Sequence, residues 1–110
     1  MNKDIINLNN LQKVSVRQLE NKNQFVIRYN NQNNPCLNVV CFQSYATLIC
    51  MYAQNEHKIY INWSMFDYSK TTLKHLKIFI NEYTPYTYEN KQQFVKLILN
   101  NNDFVLFNER

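Results

Sequence analysis

The apolar residues of this chain change their spacing once, and that change limits the fold more than any other feature. Up to Trp63 they alternate or run in short β-rich blocks, and beyond Phe66 they recur at intervals of three and four. Val14 and Val16 alternate with Ser15 and Arg17, Glu20-Asn21-Lys22-Asn23 supplies turn residues, and Phe25–Tyr29 follows, which together read as a hairpin. Cys36–Phe42 and Thr47–Tyr52 read as further strands. Lys58–Trp63 alternates strictly, placing Ile59, Ile61 and Trp63 on one face and polar or amphipathic residues on the other.

Leu73, Leu76, Ile80 and Tyr83 then predict a helix, with Ser69 as its N-cap, Asp67 where an acid favours a helix start, and Pro85 as its stop. A second helix is expected from about Glu89 to Asn100, with Phe94, Val95, Leu97, Ile98 and Leu99 as its apolar face. Phe104–Phe107 suits an edge strand or a cover for the core. Strands followed by helices, without βαβ alternation, predict an α+β domain: an antiparallel sheet of four to five strands followed by two helices packed on one face. At 110 residues the chain suits one compact domain, 1–110. Within it, 1–13 carries Ile5, Leu8 and Leu11 at threefold spacing, which fits a helical turn or an extended arm, flexible or ordered by a partner.

The chain contains no glycine, so no dinucleotide turn, Walker loop or nucleophile elbow can be built from it. Asparagine clusters at 30–34 and 100–102 mark turns, and asparagine is expected at positive-φ positions. Cys36, Cys41 and Cys50 are odd in number and lie in apolar segments, as reduced core thiols do. Cys36 and Cys41, five apart in one strand, project to opposite faces. With only His57 and His75 beside them, no metal site is expected, and no cofactor. Capping alone explains Asp67 and Ser69, and His75 sits six residues further along, so no acid, base and nucleophile set converges and no enzyme is expected. No apolar run approaches the roughly 20 residues of a membrane span. The opening Met1–Asn7 interrupts its apolar stretch too early for a signal peptide, which predicts a cytoplasmic protein.

A net charge of +4, from 12 Lys+Arg against 8 Asp+Glu, favours an acidic partner. Lys70, Lys74 and Lys77 align along one edge of the predicted helix. They either solvate its outer face or contact phosphates or an acidic protein surface. Lysine lacks arginine's bidentate geometry, so such a stripe positions a polyanion rather than reading its sequence. Tyr83, Tyr86 and Tyr88 cluster around Pro85, either as an interface or base-stacking patch or as interhelix side chains sealing the core.

Phe42-Gln43-Ser44-Tyr45-Ala46-Thr47-Leu48-Ile49, followed by Tyr68-Ser69-Lys70-Thr71-Thr72-Leu73-Lys74-His75-Leu76-Lys77-Ile78-Phe79, resembles a family of small phage and mobile-element proteins of unknown function. Their pattern runs Ser-Tyr-x-Thr-x-Ile-Ala, a variable turn, then Tyr-Ser-x-Thr-Thr-x-Lys-His-x-x-x-Phe. Leu48 stands where that family often has Pro, and Cys50 where Ala is usual. Physically the motif is either a folding signature, with Thr71 and Thr72 supplementing the Ser69 cap and Tyr45 and Tyr68 packing where sheet meets helix, or an anion site. In the second case the first-turn hydroxyls, free backbone N–H groups, Lys74 and His75 would face the ligand.

The resemblance implies an accessory protein of a bacterial host's phage or mobile element. The leading expectation is a non-catalytic, anti-CRISPR-like binder that inhibits a host nucleic-acid-handling defence complex by steric occlusion. The alternative is a protein that contacts DNA or RNA directly through the lysine-lined helix.

Overall fold

The computed structural model describes residues 12–31 and 34–109. The fold is α+β. Six strands, β1 (Gln12–Gln18), β2 (Gln24–Asn31), β3 (Asn34–Ser44), β4 (Thr47–Ala53), β5 (Lys58–Asn62) and β6 (Phe104–Phe107), lie in one sheet in chain order. Helices α1 (Lys70–Tyr83) and α2 (Lys91–Asn100) separate β5 from β6. The expected arm at 1–13 lies outside the described residues as far as residue 11; Gln12 and Lys13 already belong to β1.

The sheet differs from expectation in two ways. It has six strands rather than four to five, because Phe104–Phe107 is a full partner of β5. The first four pairings are antiparallel, but β5 and β6 run parallel. The reason is topological: a chain that leaves β5, crosses one face of the sheet as helices and returns beside β5 at its starting end must run in the same direction.

Burial follows this layering. On the helix side, Phe42 stacks on Phe79 at a centroid distance of 6.0 Å, Phe79 on Tyr83 at 5.2 Å, and Tyr88 on Phe94 at 4.5 Å. Val26, Val40, Cys50, Ile59 and Ile61 complete that core from the sheet. On the opposite face Val39, Cys41, Met51, Ala53, Tyr60 and Phe107 form a second buried cluster. Ile59 and Ile61 face the helices and Tyr60 the other side, as the alternation predicts, but β5 is buried on both faces: Tyr60 and Asn62 are buried as well. Trp63 lies past the strand and stacks on Phe66 at 4.8 Å. On β1 a register shift between Lys13 and Ser15 leaves Val14 and Val16 exposed, while Arg17 crosses to α1 and pairs with Glu82 at 3.2 Å.

Both helices start where side chains cap them. Ser69 Oγ accepts the Thr72 N–H at 3.1 Å. Asn90 Oδ1 accepts the Gln93 N–H at 3.0 Å while Gln93 Oε1 accepts the Glu89 N–H at 2.9 Å, a reciprocal cap. Thr84 Oγ1 donates to the Ile80 carbonyl at 2.7 Å and ends α1 just before Pro85. Two details depart from the sequence reading. Leu99 is exposed rather than part of the α2 apolar face. Asp67 does not serve the α1 start; its carboxylate binds Lys91 of α2 at 2.6 Å. Among the described residues positive φ occurs at Asn23, Tyr45 and His57, so asparagine fills only one of the three.

Two outcomes test this core. Phe79→Ala removes the ring joining α1 to β3 and is expected to cost about 3–5 kcal/mol in urea unfolding. Burial pushes the Cys41 thiol up to about 12 and that of Cys50 in the same direction. An unfolded thiol ionises near 8.5 while the folded one does not, so the unfolded state holds fewer protons between those values. Stability is thus complete below about pH 8 and falls as pH rises from about 8.5 toward about 12. Urea midpoints measured across that range check the sign, and Cys41→Ala is expected to flatten the decline.

Candidate functional site

α1 carries Lys70, Lys74 and Lys77 along one flank, as the spacing predicts. Together with Leu73 and with Tyr88, Glu89, Asn90 and Lys91 they line a groove of about 240 Å³. The groove forms where the connection 84–90 runs back along α1, bringing Glu89 to Lys77 and Lys91 to Asp67.

To meet an outside anion these amines must be free of internal carboxylates, and among the described residues only Lys70 is. Lys74 approaches Glu20 at 3.7 Å and Lys77 approaches Glu89 at 3.7 Å. Both pairs are long and their acids are 76% and 81% exposed, so each contributes under about 1 kcal/mol and exchanges readily with another anion. Lys91, bound to Asp67 and lying 5.7 Å from the Phe66 ring centre, is committed to the fold.

The hydroxyl residues of the first helical turn have a structural task. Ser69 Oγ donates to Thr72 Oγ1 at 3.0 Å, and the Thr72 and Ser44 hydroxyls share a hydrogen bond at 3.0 Å. Ser44 also accepts from Gln24 Nε2 at 3.0 Å and bonds to the Tyr68 hydroxyl at 3.1 Å. This buried chain fastens the start of α1 to the end of β3. Thr72 and His75 are fully buried, so neither faces a ligand. His75 donates from Nδ1 to the Thr71 carbonyl at 3.0 Å, and its Nε2 is buried without a hydrogen-bond partner. Thr71 alone of that group is exposed, beside Lys70 and Lys74.

The three tyrosines do not form one surface. Tyr83 is half-buried, its hydroxyl 2.7 Å from Arg17 and its ring beneath the Arg28 guanidinium at 5.4 Å. Tyr86 donates to the Asp103 carboxylate, which together with partial burial holds its hydroxyl proton above the ordinary range. Tyr88 is buried, and desolvation pushes its hydroxyl up strongly. Separate contacts within the fold account for them: Tyr83 with β1 and β2, Tyr86 with Asp103 and Phe104, and Tyr88 with Phe94 of α2.

The motif reading has Tyr45 and Tyr68 packing where sheet meets helix: Tyr68 bonds to Ser44 there, but Tyr45 is exposed, and the grouping of both with Trp63 is what the sequence reading missed. Tyr45, Trp63 and Tyr68 are the aromatics more than a third exposed among the described residues. Nothing in periodicity marks them, because Tyr45 is a turn residue and Trp63 continues a strand's alternation past the strand's end. Among the described residues no group of three or more His, Cys, Asp or Glu is placed to hold a metal ion. No helix there is long and apolar enough to cross a membrane.

Replacing Thr72 with Val keeps the shape but leaves Ser44 and Ser69 short of a partner. The expected cost is about 1–3 kcal/mol in urea unfolding, against less than about 1 kcal/mol for Lys74→Ala.

A family model described as a family of unknown function (DUF8033) matches residues 10–96. The match takes in β1 to β5, α1, the hydroxyl chain and most of α2. No curated protein and no solved structure matches the chain.

Proposed function

The chain belongs to this family of unknown function, and we propose, from its own surface, that it is a non-catalytic binder. In this reading it is a phage or mobile-element accessory protein that acts in the cytoplasm of a bacterial host. It inhibits a nucleic-acid-handling defence complex by steric occlusion. The observation that carries the reading is the gathering of Lys70, Lys74 and Lys77 around one groove that Leu73 and Tyr88 also line. Glu20 and Glu89 are exposed, weakly held partners, so an incoming anionic surface displaces them at little cost. Lysine amines speed and orient the encounter, while Leu73 and the edge of the groove supply the area that slows release.

Absence of catalysis is part of the proposal. What supports it is that Ser69 and Thr72 are engaged in the helix cap and that the imidazole of His75 is sealed beneath α1. The second reading, direct contact with DNA or RNA, is favoured by Lys70, which has no carboxylate partner among the described residues.

A salt titration with free DNA and RNA separates the two. Direct contact predicts affinity that falls steeply with salt. Replacing Lys70, Lys74 and Lys77 together by Ala is then expected to lower the slope of log K against log salt by about one for each phosphate left without its lysine. A binder directed at protein shows little affinity for free polynucleotide, and retains its target from host lysate after nuclease treatment. The lysine reading is sunk by a triple variant that changes neither polynucleotide nor partner binding.

A further inference from the structure

The three exposed aromatics come from three separate segments yet share one end of the sheet. Tyr45 forms the β3–β4 turn, and its N–H donates to the Asn23 carbonyl at 2.6 Å, which brings the β1–β2 turn alongside. The Tyr68 hydroxyl bonds to Ser44, one residue from Tyr45. Trp63 follows β5, whose last residue, Asn62, donates to the Leu48 carbonyl at 2.9 Å near the start of β4. The cations of this end are Lys22 in the β1–β2 turn and Lys70 at the first position of α1, both exposed and neither paired with a carboxylate among the described residues. The lysine flank of α1 starts here.

Tyr45 is the informative member. Its φ of 55° is in the left-handed region, which asparagine tolerates and a bulky residue resists. The backbone is clamped there by Asn23 and by Gln43 Nε2, which donates to the Tyr45 carbonyl at 2.7 Å. Yet the ring is 58% exposed and joins no ring contact, and the hydroxyl makes no hydrogen bond among the described residues. No ring contact or hydroxyl bond among the described residues offsets the unfavourable backbone, whereas an outward role uses the side chain.

We propose that this end of the protein is a platform for single-stranded nucleic acid. Unpaired bases stack on Tyr45, Tyr68 and Trp63, the last held in place by Phe66, and the phosphates pass Lys22 and Lys70 onto the α1 flank. The inference rests on the second reading above, direct contact with DNA or RNA through the lysines, and names the form of nucleic acid that is bound. Single strands are favoured over duplex because a duplex hides the base faces that an aromatic ring stacks on.

The test is fluorescence anisotropy at low salt with a labelled oligothymidine and a duplex of equal phosphate number, using the whole chain. The single strand is expected to bind about tenfold tighter than the duplex. Tyr45→Asn, which relieves the backbone, is expected to weaken single-strand binding about tenfold while its urea midpoint stays level or rises. Equal affinity for duplex, no binding of either oligonucleotide, or displacement of the oligonucleotide by an equally charged acidic peptide overturns the platform. If the triple lysine variant loses oligonucleotide binding but Tyr45→Asn does not, the platform fails and the lysine reading stands; if neither variant loses it, both fail.

Discussion

The hydroxyl of Ser44 is the point through which the two layers of this protein are registered. It accepts a hydrogen bond from Gln24 on the neighbouring strand and shares one each with the hydroxyls of Thr72 on α1 and of Tyr68. A buried hydroxyl without partners is costly, so any rotation or slide of α1 that breaks this chain strands several polar groups at once. Apolar contacts such as Phe42 on Phe79 supply the bulk of the attraction, but they are tolerant of small shifts. The directional bonds fix which side of α1 faces outward, and therefore where its lysines and Tyr68 stand.

The electrostatics of that outward side are closer to balance than the overall charge of +4 suggests. Glu20 and Glu89 come to Lys74 and Lys77 of the aligned flank, and Asp67 to Lys91 of α2. The three pairs are not equivalent. The 2.6 Å bond of Asp67 to Lys91 ties α2 to the loop before α1 and belongs to the architecture. The two 3.7 Å pairs sit in solvent and leave Lys74 and Lys77 able to change partner. A cationic flank with weak internal partners suppresses non-specific attraction while remaining open to a better-fitting anion.

Much of this was legible in the residues themselves. The period change near Phe66 locates the border between sheet and helices, and Ser69 marks the α1 cap correctly because capping is a local interaction between near neighbours. The alignment of the lysines was legible for the same reason. What was not legible depends on segments far apart in the chain. The parallel partnership of β5 with β6 cannot be seen from Phe104–Phe107 alone, and the burial of Tyr60 and Asn62 follows from it. Glu20 and Glu89 reach the lysines only after folding. The left-handed backbone at Tyr45, in a chain where asparagine was expected to take that position, is imposed by the flanking hydrogen bonds and not by the residue.

The late arrival of β6 has a consequence for biogenesis. As the polypeptide emerges from the ribosome, β1 to β5 can zip sequentially through neighbouring hairpins, because each pairs with its immediate predecessor. β5 then waits with one row of amide and carbonyl groups unoccupied until both helices have been translated and the last strand docks. During that interval the nascent sheet presents an open margin of Ile59, Tyr60 and Ile61 on which another unfinished copy can template, so the helices that cross over it also act as the timer for its closure.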